Sequence, residues 1–225
     1  MLSGGNPINS YSSVPGAIEP TPLKFDLDKI KFALTALHVK NSFDPFAAFN
    51  KNNSDRQVAF NLNHPEKLPS TIKTEREKYV GQLSTNEENL KSRFNITTGD
   101  FNTMTDAVKS SYIGEIYDQL VDWHNANNSQ HGQITRVHCV HMANGSGYRM
   151  HVDQQTTIRY HVAVETNEYC YMFAKAENEI CSVHIPADGR VWLLDTRTPH
   201  TALNLKANIV PKEQLLRTHL IFSVI

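Results

Sequence analysis

Two histidines and one aspartate have the types and the spacing of a metal-binding triad. His151 and Asp153 are separated by one residue, and His200 follows later in the chain. Residues i and i+2 of a β-strand point the same way, so His151 and Asp153 could share one ion without distorting the backbone. Two imidazoles and a carboxylate on one face of an octahedral ion leave the opposite face open, as in non-haem Fe(II) oxygenases. The pattern predicts a metal site with these three ligands.

Short strands must position this triad. The alternating and β-branched runs separated by Gly, Asn and Pro predict strands at residues 133–142, 159–164, 169–173, 180–185, 191–194 and 218–224. The run at residues 191–194 would return His200 to the barrel mouth where His151 lies. Closely spaced strands of this kind are typical of a jelly roll.

The residues around the triad form ordered motifs. These are a strand running into a glycine turn at residues 136–145, the metal pair within 148–153, the pair Arg159 and His161, Pro199-His200 with Asn204, and the strand 216–224. In this order, residues 133–225 resemble the aspartyl/asparaginyl β-hydroxylase family of Fe(II)- and 2-oxoglutarate-dependent dioxygenases. The resemblance implies a mainly β fold with an α extension, in which N-terminal helices buttress a double-stranded β-helix (jelly-roll or cupin-like) barrel.

The resemblance also implies cofactors and roles. Fe(II) would be the metal, with 2-oxoglutarate and O₂ as cosubstrates. Arg217 would grip the far carboxylate of 2-oxoglutarate, since a guanidinium makes two parallel bonds to a carboxylate. Arg159 and His161 would help to bind the same cosubstrate. Arg217 follows His200 later than is usual in the family, so residues 205–213 are predicted to be a loop insertion. This loop either helps to select or cover the substrate or is an inert surface insertion.

Further positions are candidates for contact with the substrate or with the metal ligands. In the family, a residue with a hydroxyl group binds the cosubstrate at the position that Val140 occupies in this chain. Valine has no hydroxyl, and His138 could make this contact instead. The candidates are His138, Gln155, Arg197 and Asn204.

The chain is predicted to have three parts within one structural domain. Residues 1–22 are rich in Gly, Pro, Ser and Asn and predict a tail that is flexible or lies along the surface. Residues 23–132 predict an α-rich part that packs on the barrel, and residues 133–225 the catalytic core. A helix is predicted after a possible cap at Asp26, although residues 24–34 could instead alternate as a strand. The clearest helix is predicted over residues 105–127.

Composition narrows the classes of partner and compartment. The 22 Lys and Arg against 23 Asp and Glu give a net charge of −1, which does not favour nucleic-acid binding. No apolar run predicts a membrane span, and residues 1–16 do not resemble a secretory leader. Three cysteines (Cys139, Cys170 and Cys181) lack the spacing of a zinc site and leave one thiol unpaired in any disulfide scheme, as a reducing compartment permits. A cytoplasmic protein with a small-molecule or peptide substrate is predicted, and its oligomeric state is left open.

The predicted function is a dioxygenase that hydroxylates a C–H bond of an amino acid, a peptidyl residue or a related small molecule, with release of succinate and CO₂. One alternative is a cupin-type protein that binds metal without oxidising anything. Another is a metal-dependent hydrolase or isomerase with the same ligands. Arg217 favours the dioxygenase, because neither alternative needs an arginine placed for a dicarboxylate.

Overall fold

The computed structural model describes residues 14–40, 57–65, 95–142, 144–176, 179–205 and 216–225. Within these ranges the strands are β1 (Ile18–Lys24), β2 (Gln57–Asn61), β3 (Asn63–Pro65), β4 (Phe101–Met104), β5 (Ile134–Met142), β6 (Ser146–Gly147), β7 (Ile158–Glu165), β8 (Cys170–Ala176), β9 (Glu179–Val183), β10 (Arg190–Asp195), β11 (His200–Asn204) and β12 (Arg217–Val224). The α-helices are α1 (Leu27–Lys40), α2 (Asp106–Lys109) and α3 (Tyr112–Asn127). Single 3₁₀ turns cover Thr98–Asp100 and Ser129–His131.

Two antiparallel sheets form the barrel. The six-stranded sheet has the order β1-β10-β7-β12-β5-β2, and the four-stranded sheet has the order β6-β11-β8-β9. From β5 to β12 the chain passes repeatedly between the two sheets, so that β5, β12, β7 and β10 face β6, β11, β8 and β9. This strand order is the double-stranded β-helix that the sequence predicted, a jelly roll made of two packed sheets.

The six-stranded sheet is covered on both faces, which explains why every residue of β5 and β12 is buried. One face packs against the helices through Val137, Cys139, Tyr160, Val162, Leu220, Phe222, Ile116 and Leu120. Because side chains alternate along a strand, the intervening residues point towards the four-stranded sheet. They bring six polar side chains into the barrel interior, which are Arg136, His138, Arg159, His161, Arg217 and His219.

A buried histidine joins the helical layer to the barrel. His124 Nε2 donates to the Gly132 carbonyl oxygen at 2.9 Å, and His124 Nδ1 accepts from the Tyr160 hydroxyl at 2.8 Å. The carbonyl can only accept, so the imidazole hydrogen must lie on Nε2 and the tyrosine must be the other donor. These hydrogen bonds fix the position of α3 relative to β7.

The helix predicted after Asp26 is confirmed as α1. The Asp26 carboxylate accepts from the backbone N–H groups of Asp28 and Lys29, which satisfies two donors of the first turn. The strand alternative for residues 24–34 is wrong, because the strand ends at Lys24. None of the helices in the described ranges combines the length and the apolar character that a membrane span requires.

The single helix predicted over residues 105–127 is wrong in one respect, because it is two helices. The Thr105 side chain accepts from the N–H of Val108 and caps α2. The Ser111 side chain then accepts from the N–H of Ile113 and begins α3. Serine and threonine hydroxyls compete with the helical hydrogen bonds in this way, and the apolar periodicity alone does not reveal the break. The predicted α-rich part also contains the strands β2, β3 and β4.

The prediction of a flexible tail over residues 1–22 is wrong for residues 14–22. Residues 18–24 form β1, an edge strand that pairs with β10 and places Ile18 opposite Leu194. Ile18 is 0% exposed, and it packs with Val14 and Ala17 against Trp192. Apolar burial against the barrel therefore outweighs the loop-forming composition of this segment. Residues 1–13 and all but the first residue of the predicted 205–213 insertion lie outside the described ranges.

Candidate metal centre

The three predicted ligands lie together at one end of the barrel. Their ligand atoms are all within 4.8 Å of one another. His151 and His200 form an isolated antiparallel bridge. The backbone nitrogen of each donates to the carbonyl oxygen of the other, with nitrogen-to-oxygen distances of 3.0 and 2.9 Å. The bridge joins two residues far apart in the chain and brings their ring centroids to 4.6 Å. The predicted strand through His151 and Asp153 is wrong, because only His151 takes part in a bridge and residues 152–153 belong to no strand. The bridge to His200 and the bond from the N–H of Asp153 to the Thr196 carbonyl oxygen, rather than alternation along one strand, hold these residues in place.

Backbone carbonyl groups orient both imidazoles. His151 Nδ1 donates to the Arg149 carbonyl oxygen at 2.7 Å, and His200 Nδ1 donates to the Thr198 carbonyl oxygen at 2.9 Å. The hydrogen of each neutral ring must therefore lie on Nδ1, because a carbonyl only accepts. Each Nε2 keeps its lone pair for a metal ion, which is the arrangement that outer hydrogen bonds impose on metal-ligating histidines.

Asp153 completes the donor set as a carboxylate. Its Oδ1 lies 3.4 Å from His151 Nε2, and its Oδ2 lies 2.9 Å from Arg159 Nη2 and accepts from the Thr156 hydroxyl at 2.8 Å. Burial opposes its ionisation, but a hydrogen bond from His151 when that ring is protonated, the Arg159 charge and the Thr156 hydroxyl together lower its pKa below the ordinary value. A metal ion would replace the proton on His151 Nε2. Two imidazole nitrogens and one carboxylate oxygen suit Fe(II) with open positions, so these residues fit the implied metal.

Arg217 is a buried cation at a second position in the barrel interior. Its side chain comes from β12, is 3% exposed and touches Met172 Sδ of the opposite sheet at 2.9 Å. Burial lowers its pKa to about 10. Among the residues that the structure describes, no carboxylate lies within ion-pairing distance of it. A buried charge without a counter-ion is costly, so a bound anion would be strongly favoured here.

Two neutral histidines lie beside Arg217. Arg217 Nη2 donates to His219 Nδ1 at 3.3 Å, and His161 Nδ1 lies 3.4 Å from His219 Nδ1. Since arginine has no acceptor, His219 Nδ1 carries no hydrogen and His161 Nδ1 must be a donor. His161 Nε2 and the indole Nε1 of Trp192, its cross-strand neighbour, are both buried and have no hydrogen-bond partner within the part of the chain that the structure describes. Polar atoms of this kind are expected to meet a polar ligand or water.

Three buried histidines predict that the protein loses stability in mild acid. Burial, followed by the charge of nearby arginines, lowers the pKa of His138, His161 and His219 well below 6.5. They are neutral in the folded protein, whereas the unfolded chain protonates all three below that pH. Because the unfolded state then binds more protons, stability falls as the pH falls from 6.5. We expect the free energy of unfolding to drop by up to about 1.4 kcal/mol per pH unit for each histidine.

Urea unfolding of the metal-free protein, measured above and below pH 6.5, tests this expectation. The slope of the unfolding free energy against pH gives the number of protons taken up on unfolding. A free energy that stays constant as the pH is lowered from 6.5 would show that these imidazoles titrate freely in the folded protein.

The other predicted site residues have contacts of their own. Arg159 pairs with Asp153, and His138 is buried with Nδ1 unpartnered among the described residues. Three candidates bind other parts of the protein. Gln155 Oε1 accepts from the N–H of Thr98, the exposed Arg197 pairs with Asp195, and Asn204 Nδ2 donates to the Met142 carbonyl oxygen. The predicted roles of these residues in binding cosubstrate or substrate stay predictions.

Sequence reasoning missed three residues around the site. His219 lies beside Arg217, Thr156 bonds to Asp153, and the hydroxyl oxygen of Thr196 lies 3.0 Å from that of Thr156. The signal for His219 was its position two residues after Arg217 on one strand, since such residues share a face. Thr156 and Thr196 are 40 residues apart, and no local pattern pairs them.

No protein-family model matches the chain, and no curated protein matches it. An oxidoreductase of the 2OG-Fe(II) oxygenase family from Burkholderia pseudomallei is 15% identical over 54% of this chain and 59% of its own, with a TM-score of 0.40. A Pseudomonas putida prolyl-4-hydroxylase is 18% identical over 53% and 64%, with a TM-score of 0.38. IDO from Bacillus thuringiensis is 11% identical over 86% and 84%, with a TM-score of 0.46. This chain spans less than two thirds of the first two proteins. Its strand order, rather than these weak similarities, identifies the double-stranded β-helix.

Proposed function

We propose that the chain is an Fe(II)- and 2-oxoglutarate-dependent oxygenase that hydroxylates a C–H bond of its substrate, with release of succinate and CO₂. The single observation that carries this proposal is the combination of two features in one barrel interior. One is the triad of His151, Asp153 and His200, and the other is Arg217, a buried cation without a carboxylate partner among the described residues. A metal-chelating dicarboxylate would satisfy both.

The residues divide the work of binding. The two Nε2 atoms of the histidines and a carboxylate oxygen of Asp153 would hold the metal, and the guanidinium of Arg217 would bind the far carboxylate of 2-oxoglutarate through two N–H groups. His161 and Arg159 are proposed to assist at the cosubstrate. When bound, Fe(II) and 2-oxoglutarate supply the oxidising chemistry that uses O₂.

The barrel itself would keep water away from this chemistry. Apolar side chains from both sheets line the interior around the polar cluster, including Met172, Ala174, Trp192 and Ile221. A dry interior strengthens the attraction between Arg217 and a carboxylate, because the local dielectric constant is low. It also limits side reactions before the substrate arrives.

A finer proposal follows from the motifs. Their resemblance to the aspartyl/asparaginyl β-hydroxylases supports hydroxylation of a free amino acid, a peptidyl residue or a related small molecule. His151 is the exposed member of the triad, and the neighbouring side chains of Tyr148, Met150 and Val152 are also exposed. The substrate is proposed to approach the metal across this surface, because loops and rims on a rigid scaffold usually carry specificity.

Two alternatives use the same triad. A non-oxidising barrel would bind metal and a small acid without consuming O₂, and a hydrolase or isomerase would need no 2-oxoglutarate. The buried Arg217 argues against the second alternative, because hydrolysis or isomerisation at a metal ion does not itself require an arginine placed for a dicarboxylate. The first alternative is separated from the oxygenase by turnover alone.

The proposed function is tested by adding Fe(II) and 2-oxoglutarate to the protein under anaerobic conditions. We expect a weak visible charge-transfer band that needs both components, because 2-oxoglutarate chelates the iron in such enzymes. Air and a panel of amino acids and peptides are then admitted, and succinate and products heavier by one oxygen atom are sought by mass spectrometry. Samples without iron are the control. A band without succinate would support the non-oxidising barrel, and the absence of both would refute the proposal.

A further inference from the structure

Two buried threonines lie side by side behind the carboxylate of Asp153. The Thr156 hydroxyl donates to Asp153 Oδ2 at 2.8 Å, and the hydroxyl oxygens of Thr156 and Thr196 are 3.0 Å apart. Thr156 is 4% exposed and Thr196 is 0% exposed. Neither residue belongs to the triad, and the proposed function gives neither a role.

Thr196 fixes the segment that carries both Asp153 and Thr156. Its carbonyl oxygen accepts from the N–H of Asp153 at 3.0 Å, and its N–H donates to the Thr157 carbonyl oxygen at 3.1 Å. Its hydroxyl donates to the Thr156 carbonyl oxygen at 2.8 Å. These three hydrogen bonds from Thr196, which directly follows β10, thus fix the position of residues 153–157 relative to β10. Because an ionised carboxylate only accepts, the hydrogen of the Thr156 hydroxyl is committed to Asp153.

The two oxygens of Asp153 consequently have different surroundings. Oδ2 receives the Thr156 hydroxyl and lies 2.9 Å from Arg159 Nη2, whereas Oδ1 faces His151 Nε2 at 3.4 Å. Oδ1 is the oxygen on the side of His151. Arginine has a long, adaptable side chain and could follow a turning carboxylate. The short, buried hydroxyl of Thr156 has no such freedom, so it defines the orientation.

We propose that Thr156, oriented by Thr196, is a positioning residue that restricts Asp153 to binding the metal through one oxygen. The inference rests on the proposed function and deepens it. An octahedral ion has six positions, of which three protein atoms, a chelating 2-oxo acid and O₂ would use all six. A carboxylate binding through both oxygens would remove one of these positions. Holding Oδ2 away from the ion therefore keeps the site open for both cosubstrates.

Cobalt(II) binding tests the positioning role without turnover. Thr156→Val keeps the shape of the side chain and removes only the hydroxyl. Loss of an outer partner of a metal ligand typically lowers metal affinity about 10- to 100-fold, and we expect a loss of about 10-fold here. The visible absorption of bound Co(II) should also change, because its intensity depends on the number of coordinating atoms. Thr156→Ser should restore both, and Thr196→Val should shift both in the direction of Thr156→Val.

The neighbouring Thr157 offers a matched control. Its hydroxyl donates to the His131 carbonyl oxygen at 2.7 Å and makes no bond to Asp153. Thr157→Val therefore loses a comparable hydrogen bond, and Co(II) affinity and absorption should match those of the unmodified protein. Urea unfolding of each variant shows whether it is folded before metal is added.

The outcomes separate the two levels of inference. If the unmodified protein binds no Co(II) at the triad, the proposed function fails and the positioning role fails with it. If the protein binds Co(II) and Thr156→Val has the same affinity and absorption, the positioning role alone is overturned. If Thr156→Val does not fold, Thr196→Val decides by the same criterion. A loss in Thr156→Val that Thr156→Ser reverses, with Thr157→Val unaffected, supports the positioning of Asp153.

Discussion

His200→Ala is expected to abolish tight iron binding and succinate formation together. In the proposed site His200 is one of three protein ligands among the described residues, and its Nε2 is oriented by the bond from Nδ1 to the Thr198 carbonyl oxygen. Loss of a partner outside the ligand set already costs about 10- to 100-fold in affinity or activity. Loss of a ligand itself should exceed about 100-fold. The measurements are the Fe(II) dissociation constant under anaerobic conditions and the rate of succinate formation.

A histidine outside the site is the control for this substitution. His131 lies in a 3₁₀ turn, and its carbonyl oxygen, rather than its side chain, accepts from Thr157. His131→Ala should therefore keep both iron affinity and succinate formation. Full turnover in His200→Ala would mean that the triad is not the metal centre, and the proposed function would fall with it.

Arg217→Met is expected to weaken 2-oxoglutarate binding by about two to three orders of magnitude while iron binding stays nearly unchanged. Breaking a buried ion pair costs about 3 to 5 kcal/mol, and each 1.4 kcal/mol is about tenfold in affinity. Methionine keeps the unbranched shape of the side chain and its contact with Met172. The dissociation constants of 2-oxoglutarate and of Fe(II), measured separately, check both parts of the expectation.

The same substitution has an opposite effect on the protein without ligands. Arg217 is buried without a carboxylate partner among the described residues, and a buried charge in this state destabilises the fold. Arg217→Met should therefore unfold at an equal or higher urea concentration than the unmodified protein. Arg190→Met, at an exposed arginine paired with Asp188, is the control and should change neither property. Unchanged 2-oxoglutarate affinity in Arg217→Met would move the cosubstrate role to Arg159 or another arginine.

The sequence by itself determined the features that depend on local periodicity. Strand alternation predicted that His151 and Asp153 share one side, although in the structure only His151 takes part in a β-bridge and Val152 and Asp153 belong to no strand. Runs of β-branched and aromatic residues predicted β5, β7, β8, β9, β10 and β12 within a few positions of those observed, whereas β6 and β11 were not predicted. The helix after Asp26 was equally readable, because its cap and its apolar stripe are adjacent in the chain. Such features need only the geometry of one element, in which side chains repeat with a fixed period.

The tertiary structure decided everything that depends on which element lies beside which. The bridge between His151 and His200, the pairing of Arg159 with Asp153 and the absence of a carboxylate beside Arg217 among the described residues all arise between distant segments. The threonine pair behind Asp153 also joins distant segments, as does the edge strand that the composition of residues 14–22 concealed. Hydrogen-bond partners and burial depend on packing across strands, and the period of a single strand carries no information about its neighbours.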